Sequence, residues 1–140
     1  MAGEPRGEAQ WVTVNVINSM SKDTISVKDA NLEYGKFYKN GDKSKEIPAS
    51  EVNEIRLLPG EVQGISSCGR QDSPSGTDGH IILYDGDTKI CRFYWDCPWG
   101  KPSNIFGTNE KSKGYFVDVG EWNQSSGAIG KVDVEIGKKG

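Results

Sequence analysis

Short segments in which apolar and polar residues alternate recur along this chain, and turn signals separate them. The clearest of these segments extend from Val12 to Val16 and from Val132 to Ile136, where apolar residues occupy every second position. A period of two is typical of a strand with one buried face. Eight or more such segments can be found, whereas only residues 48–52 have the character of a single helical turn. The pattern predicts an all-β, single-domain protein built as an antiparallel β-sandwich or barrel.

The turn signals set the expected limits of the strands. We predict strands over residues 11–17, 24–27, 31–38, 54–58, 61–65, 81–84, 89–97, 114–120 and 130–136. Asn40-Gly41 and Asp85-Gly86-Asp87 are expected hairpin turns. The lysines between residues 36 and 45 are interspersed with acidic residues and indicate a solvated loop. Residues 68–79 form the longest irregular stretch, and long ordered loops in compact domains tend to be functional.

The segment from Phe93 to Gly100 concentrates aromatic side chains and proline. The strand period predicts that Phe93 and Trp95 share one face with Cys91 and Cys97, which makes that face a candidate for the core. Pro98 has no N–H to donate, so it should end the strand. Trp99 then falls on a loop, where its own domain covers the ring only in part. We therefore expect Trp99 to contact a ligand.

Charge and motif content exclude several classes of function. The net charge of −3 and the pI near 5.2 disfavour a protein that tracks nucleic-acid phosphates. One histidine, His80, and three cysteines without a C-x-x-C pair do not build an ordinary zinc site, and no catalytic motif is present. We expect a non-enzymatic protein without a cofactor. Cys68 could pair with Cys91 or Cys97, or all three could be buried thiols.

The ends of the chain give no targeting signal. Residues 1–9 lack the apolar run that a signal peptide needs, and the longest apolar runs are far shorter than the ~20 residues of a membrane helix. We expect a soluble protein with a flexible segment over residues 1–9 and a folded domain over residues 10–140. It would be extracellular or cytoplasmic and would act at the surface of a target membrane.

Aromatic residues occur where the predicted strands begin or end, at Trp11, Tyr34, Trp99 and Trp122. Such rings suit a sugar face or a phospholipid headgroup region, where an ammonium can sit over a ring. The Gly69-Arg70 bend could offer a phosphate both N–H groups and a guanidinium. Alternatively, Arg70 forms a surface ion pair. A few rings give weak attachment per copy, so several copies on one membrane, with possible self-association, would be needed.

Four motifs resemble those of the aegerolysin family, and the resemblance covers nearly the whole chain. They are Tyr34-Gly35-Lys36 with Gly41-Asp42-Lys43, Ser67-Cys68-Gly69-Arg70 with Ser75-Gly76-Thr77, Tyr94-Trp95-Asp96-Cys97-Pro98-Trp99-Gly100, and Ser126-Gly127-Ala128-Ile129-Gly130. The resemblance implies a β-sandwich that binds membrane sphingolipids, either sphingomyelin with cholesterol or ceramide phosphoethanolamine. It also implies pore formation together with a larger partner that carries a membrane-attack-complex/perforin (MACPF) domain.

The family resemblance also implies a headgroup site made of aromatics that match Trp11, Tyr34 and Trp99, with an acidic loop residue. This chain departs from that pattern twice, with Tyr34 where relatives have Trp and Ser75 where they have Glu. We predict a lipid-contact set of Trp11, Tyr34, Arg70, Ser75 and Trp99. A carbohydrate-binding lectin would use the same rings and is the alternative function. A small hydrolase is a third.

Overall fold

A computed structural model describes residues 7–139. In that part of the chain, eleven strands and one short helix follow each other. They are β1 (Trp11–Asn18), β2 (Ile25–Tyr34), β3 (Lys36–Lys39), β4 (Asp42–Ile47), α1 (Ala49–Val52), β5 (Arg56–Leu57), β6 (Val62–Cys68), β7 (Thr77–Asp85), β8 (Thr88–Cys97), β9 (Ile105–Asn109), β10 (Tyr115–Val119) and β11 (Gly130–Lys138).

The strands form two sheets that pack face to face. The order is β10-β11-β1-β6-β3-β4 in the six-stranded sheet and β5-β2-β7-β8-β9 in the five-stranded sheet. The predicted all-β sandwich is therefore confirmed. One feature was not anticipated: β1 and β11 run parallel, with Val12 opposite Gly130 and Val16 opposite Val134. The first sheet is consequently mixed, and the two ends of the domain are joined side by side in it.

The core consists of the inward faces that the alternation predicted. Val12, Val14 and Val16 are buried on β1, as are Val132 and Val134 on β11. The opposing sheet contributes Ile81, Leu83, Cys91, Phe93, Trp95 and Cys97. The Phe37 and Trp95 rings meet edge to face across the two sheets, with centroids 6.4 Å apart. This contact lies at the end of the sandwich where Trp11 and Trp99 also lie.

Several predicted boundaries were wrong for local backbone reasons. Residues 25–27 and 31–34 belong to one strand, because Asp29 adopts a φ of 53° inside an irregularity and the strand continues beyond it. The strand breaks instead at Gly35, where φ is 97°. The irregular loop spans only residues 69–76, since Thr77 already pairs with Cys97. The lysines between residues 36 and 45 lie on or between β3 and β4, and β9 was not predicted.

All three cysteines are buried thiols, and burial raises the pKa of Cys91 to about 12 and that of Cys97 to about 11.

Residues 1–6 of the expected N-terminal segment lie outside the described residues. Residues 7–9 form a turn in which the Glu8 carboxylate accepts a hydrogen bond from Lys36 Nζ over 2.7 Å. No helix in residues 7–139 has the length and apolarity to cross a membrane.

Candidate functional site

Three of the five predicted contact residues line one cleft at an end of the sandwich. Tyr34 is the last residue of β2, Ser75 lies in the loop between β6 and β7, and Trp99 follows β8. The cleft has a volume of about 250 Å³, and Tyr34 is 60% exposed at its rim. Pro98 ends β8 as predicted and turns the chain so that Trp99 faces the loop that carries Ser75. We call this the Tyr34–Trp99 cleft.

The loop over residues 69–76 is held by close backbone contacts. A Cβ atom on Gly76 would lie 1.7 Å from the Cys97 carbonyl oxygen, and one on Gly69 would lie 2.3 Å from that of Gly7. Both positions therefore require glycine for steric reasons. The hydroxyls of Ser73 and Ser75 are 2.8 Å apart within the loop. The loop is thus fixed against the end of β8, which carries Trp99.

A buried polar chain lies directly beneath the cleft. The Thr77 hydroxyl accepts a hydrogen bond from Trp95 Nε1 and exchanges another with the Ser67 hydroxyl. Ser67, Thr77 and Trp95 are all buried. Because Thr77 lies between Ser75 and Asp78 in sequence, these hydrogen bonds link the start of β7 to β6 and β8. It fixes the position of the cleft relative to the core.

Two carboxylates that were absent from the predicted set line the same cleft. Asp78 on β7 lies directly opposite Asp96 on β8, and Tyr34 lies opposite Asp78 on the other side. Partial burial raises the pKa of Asp78, and the negative charges of Asp96 and Glu33 raise it further. The Tyr34–Trp99 cleft therefore combines two aromatic rings with two acidic groups.

The structure places Trp11 in a different cleft, on the outer face of the six-stranded sheet. That cleft has a volume of about 670 Å³ and is also lined by Thr13, Tyr38, Lys43 and Lys131. Lys43 Nζ lies 5.5 Å from the centroid of the Trp11 ring. A cation of the protein itself, Lys43, thus lies near the Trp11 ring in a cleft that Asp42 also lines, whereas Tyr34 shares its cleft with Asp78 and Asp96.

Arg70 also lies away from the Tyr34–Trp99 cleft. Its Nη1 and Nη2 atoms donate to the two carboxylate oxygens of Glu46 over 3.0 and 2.9 Å. The paired hydrogen bond from Arg70 lowers the pKa of Glu46. Both side chains are about half exposed, at 50% and 49%. This is the surface ion pair that the sequence left open as the alternative to a phosphate contact.

The remaining candidate aromatic, Trp122, has a structural position. Its ring is half-buried against Phe106, with the centroids 6.1 Å apart, and it packs on the core. Close by, the buried amide of Asn104 donates to the carbonyl oxygens of Asn123, Ser125 and Gly127. These contacts fasten the loop after Trp99 to the loop before β11.

The sequence profile of the Aegerolysin family matches residues 9–139. This chain belongs to the aegerolysin family. Among its relatives, Asp-hemolysin of Aspergillus fumigatus is 53% identical over 131 residues, which are 94% of this chain and 94% of that protein. Ostreolysin A6 of Pleurotus ostreatus is 36% identical over 135 residues, or 94% of this chain and 97% of its own length.

Solved structures show the same aegerolysin fold. The RahU protein, crystallised in complex with a Tris molecule, superposes with a TM-score of 0.90 at 35% identity, covering 95% of this chain and 98% of its own. The lipid-binding protein Nakanori superposes with a TM-score of 0.55 at 13% identity, covering 94% of this chain and 72% of its own. At that identity the second likeness shows the fold alone.

Proposed function

We propose that this aegerolysin binds sphingolipids at the surface of a target membrane and serves as the lipid-recognition component of a two-component pore-forming cytolysin. The observation that carries the proposal is the Tyr34–Trp99 cleft. It gathers Tyr34, Ser75 and Trp99 from three separate elements at one end of the domain. Two of these residues are aromatic, and aromatic rings are the side chains that favour the membrane interface.

The cleft suits the ammonium of a zwitterionic sphingolipid headgroup. A cation over an aromatic face gains about 0.5–2 kcal/mol, depending on how far the cation is desolvated. The small volume of about 250 Å³ admits a headgroup and leaves the acyl chains outside. Trp11, in the separate cleft that contains Lys43, is a second membrane contact in this proposal, and Arg70 is a peripheral one.

The candidate lipids are sphingomyelin with cholesterol and ceramide phosphoethanolamine. A tyrosine ring at position 34 is a weaker partner for a cation than tryptophan. Ser75 places no charge in the cleft, so the loop itself does not attract an ammonium. The headgroup preference of this chain therefore depends on the other groups that line the cleft.

The pore-forming role is supported by family membership and by the likeness to a protein named Asp-hemolysin. In the proposal, this protein binds the lipid headgroup, and a partner with a MACPF domain supplies the membrane-spanning assembly. A headgroup-sized contact binds weakly per copy. Several copies on one membrane would raise the overall affinity, because each further contact is then intramolecular.

The test is sedimentation of the purified protein with three kinds of vesicle, with release of an encapsulated dye read from the same tubes. The vesicles contain sphingomyelin with cholesterol, ceramide phosphoethanolamine, or phosphatidylcholine alone. The proposal predicts sedimentation with at least one sphingolipid vesicle, none with phosphatidylcholine, and no dye release by this protein alone. Equal sedimentation with all three vesicles, or with none, would contradict it. Headgroup or acyl-chain cleavage would instead indicate the hydrolase.

A further inference from the structure

The N-terminal turn, residues 7–10, touches all three segments that supply residues of the Tyr34–Trp99 cleft. These segments are the junction between β2 and β3, the loop between β6 and β7, and the end of β8. The turn is packed into the domain, because Gly7 and Glu8 are both buried. The first described residues of the chain are thus part of the framework around the cleft.

The first contact is a buried ion pair at the junction between β2 and β3. Lys36 Nζ lies 2.7 Å from Glu8 Oε2, and each side chain is only 11% exposed. Lys43 Nζ donates to the Glu8 carbonyl oxygen, also over 2.7 Å. A buried ion pair demands well-defined geometry, because each desolvated charge depends on the other. Lys36 follows the strand break at Gly35, so the pair fixes the chain directly after Tyr34.

The second contact holds the loop between β6 and β7 that carries Ser75. A Cβ atom on Gly7 would lie 1.8 Å from the Arg70 carbonyl oxygen, so the backbone of the turn packs directly on that of the loop. The Gly69 N–H donates to the Gln10 carbonyl oxygen over 3.0 Å. A displacement of the turn must therefore move the loop as well.

The third contact reaches the end of β8. Gln10 Oε1 lies 3.5 Å from the thiol of Cys97, within hydrogen-bond distance for sulfur. Cys97 is buried and precedes Trp99 by two residues. A thiol is a weak donor, so this contact is the weakest of the three. The ion pair of Glu8 and the backbone contacts of Gly7 are the stronger ones.

We propose that Glu8 is a positioning residue of the lipid site, which acts through Lys36 to hold Tyr34 at the right distance from Ser75 and Trp99. The inference deepens the proposed function and rests on it. It also assigns a role to Lys36, because a lysine so close in sequence to the cleft could otherwise bind a lipid phosphate. The Lys36 ammonium is held by Glu8 instead, so it orients the site and does not contact the ligand.

A purely structural role for the ion pair makes a different prediction. If the pair only stabilised the fold, vesicle affinity would follow the melting temperature in every variant. The double variant Glu8→Gln/Lys36→Met separates the two roles, because it removes both charges and nearly keeps the side-chain volumes. Neutral side chains can replace a buried ion pair without loss of stability. They do not restore the contact that orients residue 36.

The experiment measures vesicle sedimentation and melting temperature of full-chain variants. The vesicles are phosphatidylcholine doped with sphingomyelin and cholesterol or with ceramide phosphoethanolamine. We expect Glu8→Gln, which leaves the Lys36 ammonium unpaired, to melt lower and to bind about tenfold more weakly. The double variant should melt within about 3 °C of the native protein, yet still bind about tenfold more weakly. Lys36→Arg keeps the pair and should bind within about threefold of native.

The matched control is Asp85→Asn at the opposite end of the sandwich. The Asp85 side chain is 15% exposed and lies 3.4 Å from Lys138 Nζ, so the variant also breaks a largely buried carboxylate–lysine contact. We expect Asp85→Asn to melt lower than the native protein and to bind the vesicles with native affinity. A loss of affinity equal to that of Glu8→Gln would show that binding follows stability alone.

Hydrogen–deuterium exchange of the backbone amides adds a readout that needs no lipid. Local opening of a segment raises the exchange rate of its amides. We expect faster exchange over residues 69–76 in Glu8→Gln and in the double variant, with native exchange over residues 85–88. In Asp85→Asn the pattern should be reversed.

Three results would overturn the assignment of Glu8. They are affinity that recovers together with the melting temperature in the double variant, native or raised affinity in Glu8→Gln, and native exchange over residues 69–76 in both variants. If Glu8→Gln does not fold, the double variant alone decides. A native protein that binds neither sphingolipid vesicle would overturn the lipid function itself, and the exchange rates would then decide separately whether Glu8 holds the cleft.

Discussion

Trp95 Nε1 donates a hydrogen bond to the hydroxyl oxygen of Thr77 over 3.2 Å, inside the core and directly beneath the cleft. In the sequence, Thr77 follows the loop that carries Ser75 and directly precedes Asp78. The largest fully buried side chain of the described residues is thus joined to the strand that positions the candidate site. Fold stability and site geometry share this contact.

Replacement of Thr77 by Val tests that coupling. The change keeps the side-chain volume but leaves the Trp95 N–H and the Ser67 hydroxyl without their common partner. An unsatisfied buried polar group costs about 1–3 kcal/mol. For a domain of this size we expect the melting temperature to fall by roughly 3–10 °C. Thr108→Val, on a half-buried position of β9, is the control and should change the melting temperature by much less.

Gly76 offers a test of the loop geometry. A Cβ atom there would lie 1.7 Å from the Cys97 carbonyl oxygen, so Gly76→Ala must move the loop, the end of β8, or both. We expect a destabilisation of about 1–3 kcal/mol and loss of vesicle binding. Gly114→Ala is the matched control, because no atom lies within 4 Å of its added Cβ. Native binding by Gly76→Ala would show that the loop does not shape the site.

Because Arg70 is held in an exposed ion pair, we expect its replacement to have only a small effect on vesicle affinity. Because Arg70 already donates to both oxygens of Glu46, Arg70→Ala should reduce vesicle affinity by less than about threefold. Exposed ion pairs contribute about 0–1 kcal/mol, so stability should hardly change either. A loss of tenfold or more in sedimentation would mean that the guanidinium leaves Glu46 to bind a lipid phosphate.

The opposed carboxylates predict how stability depends on pH. Partial burial, and then the negative charges of Asp96 and Glu33, raise the folded-state pKa of Asp78, so its protonated form is favoured in the folded protein. The stability linked to this group is fully present below the unfolded pKa of 3.8 and is lost as the pH rises through the folded pKa. We therefore expect Asp78→Asn to melt a few degrees above the native protein at pH 7, from about 0.2–1 kcal/mol of relieved repulsion.

Melting curves of both proteins between pH 3 and pH 7 measure this difference. The gap between the two melting temperatures should be largest at pH 7 and should close below pH 3.8. A gap that widened on acidification would have the opposite sign and would contradict the repulsion between Asp78 and Asp96.

The three thiols should be inert in the folded protein. Cys68, Cys91 and Cys97 are buried, and the pKa of Cys91 is about 12 and that of Cys97 about 11. Reactivity needs an accessible thiolate. We expect no reaction with Ellman's reagent at pH 8 in the native protein and three reacting thiols after denaturation. Fewer than three after denaturation without reductant would indicate a disulfide.

The sequence predicted the core and the loop position of Trp99 because both depend on local pattern. The alternation at Val12 and Phe93 and the stop at Pro98 are read directly from neighbouring residues. Asp78 and Asp96 were missed because their pairing depends on a register irregularity between Leu83 and Tyr84. If β7 and β8 paired from their turn without this irregularity, Asp78 would lie opposite Trp95, and the two carboxylates would not be partners. Only the folded register reveals the pair.

Other misses also arise from tertiary structure. The polar stretch over β4 gave no strand alternation, and it is ordered by pairing with β3. The parallel contact of β1 with β11 joins segments more than a hundred residues apart, which no local signal reports. The separation of Trp11 from Trp99 has the same origin, because Trp11 lies on β1 of one sheet and Trp99 follows β8 of the other.

The most direct test of the lipid site is vesicle sedimentation of Trp99→Ala, with melting temperatures recorded on the same samples. Tyr34→Ala is measured beside it, and Tyr84→Ala serves as the control, since Tyr84 lies on the outer face of β7 near its far end. We predict that Trp99→Ala and Tyr34→Ala lose binding to sphingolipid vesicles while keeping near-native melting temperatures, and that Tyr84→Ala binds normally. Normal binding by a folded Trp99→Ala protein would contradict the assignment of the lipid site to the Tyr34–Trp99 cleft.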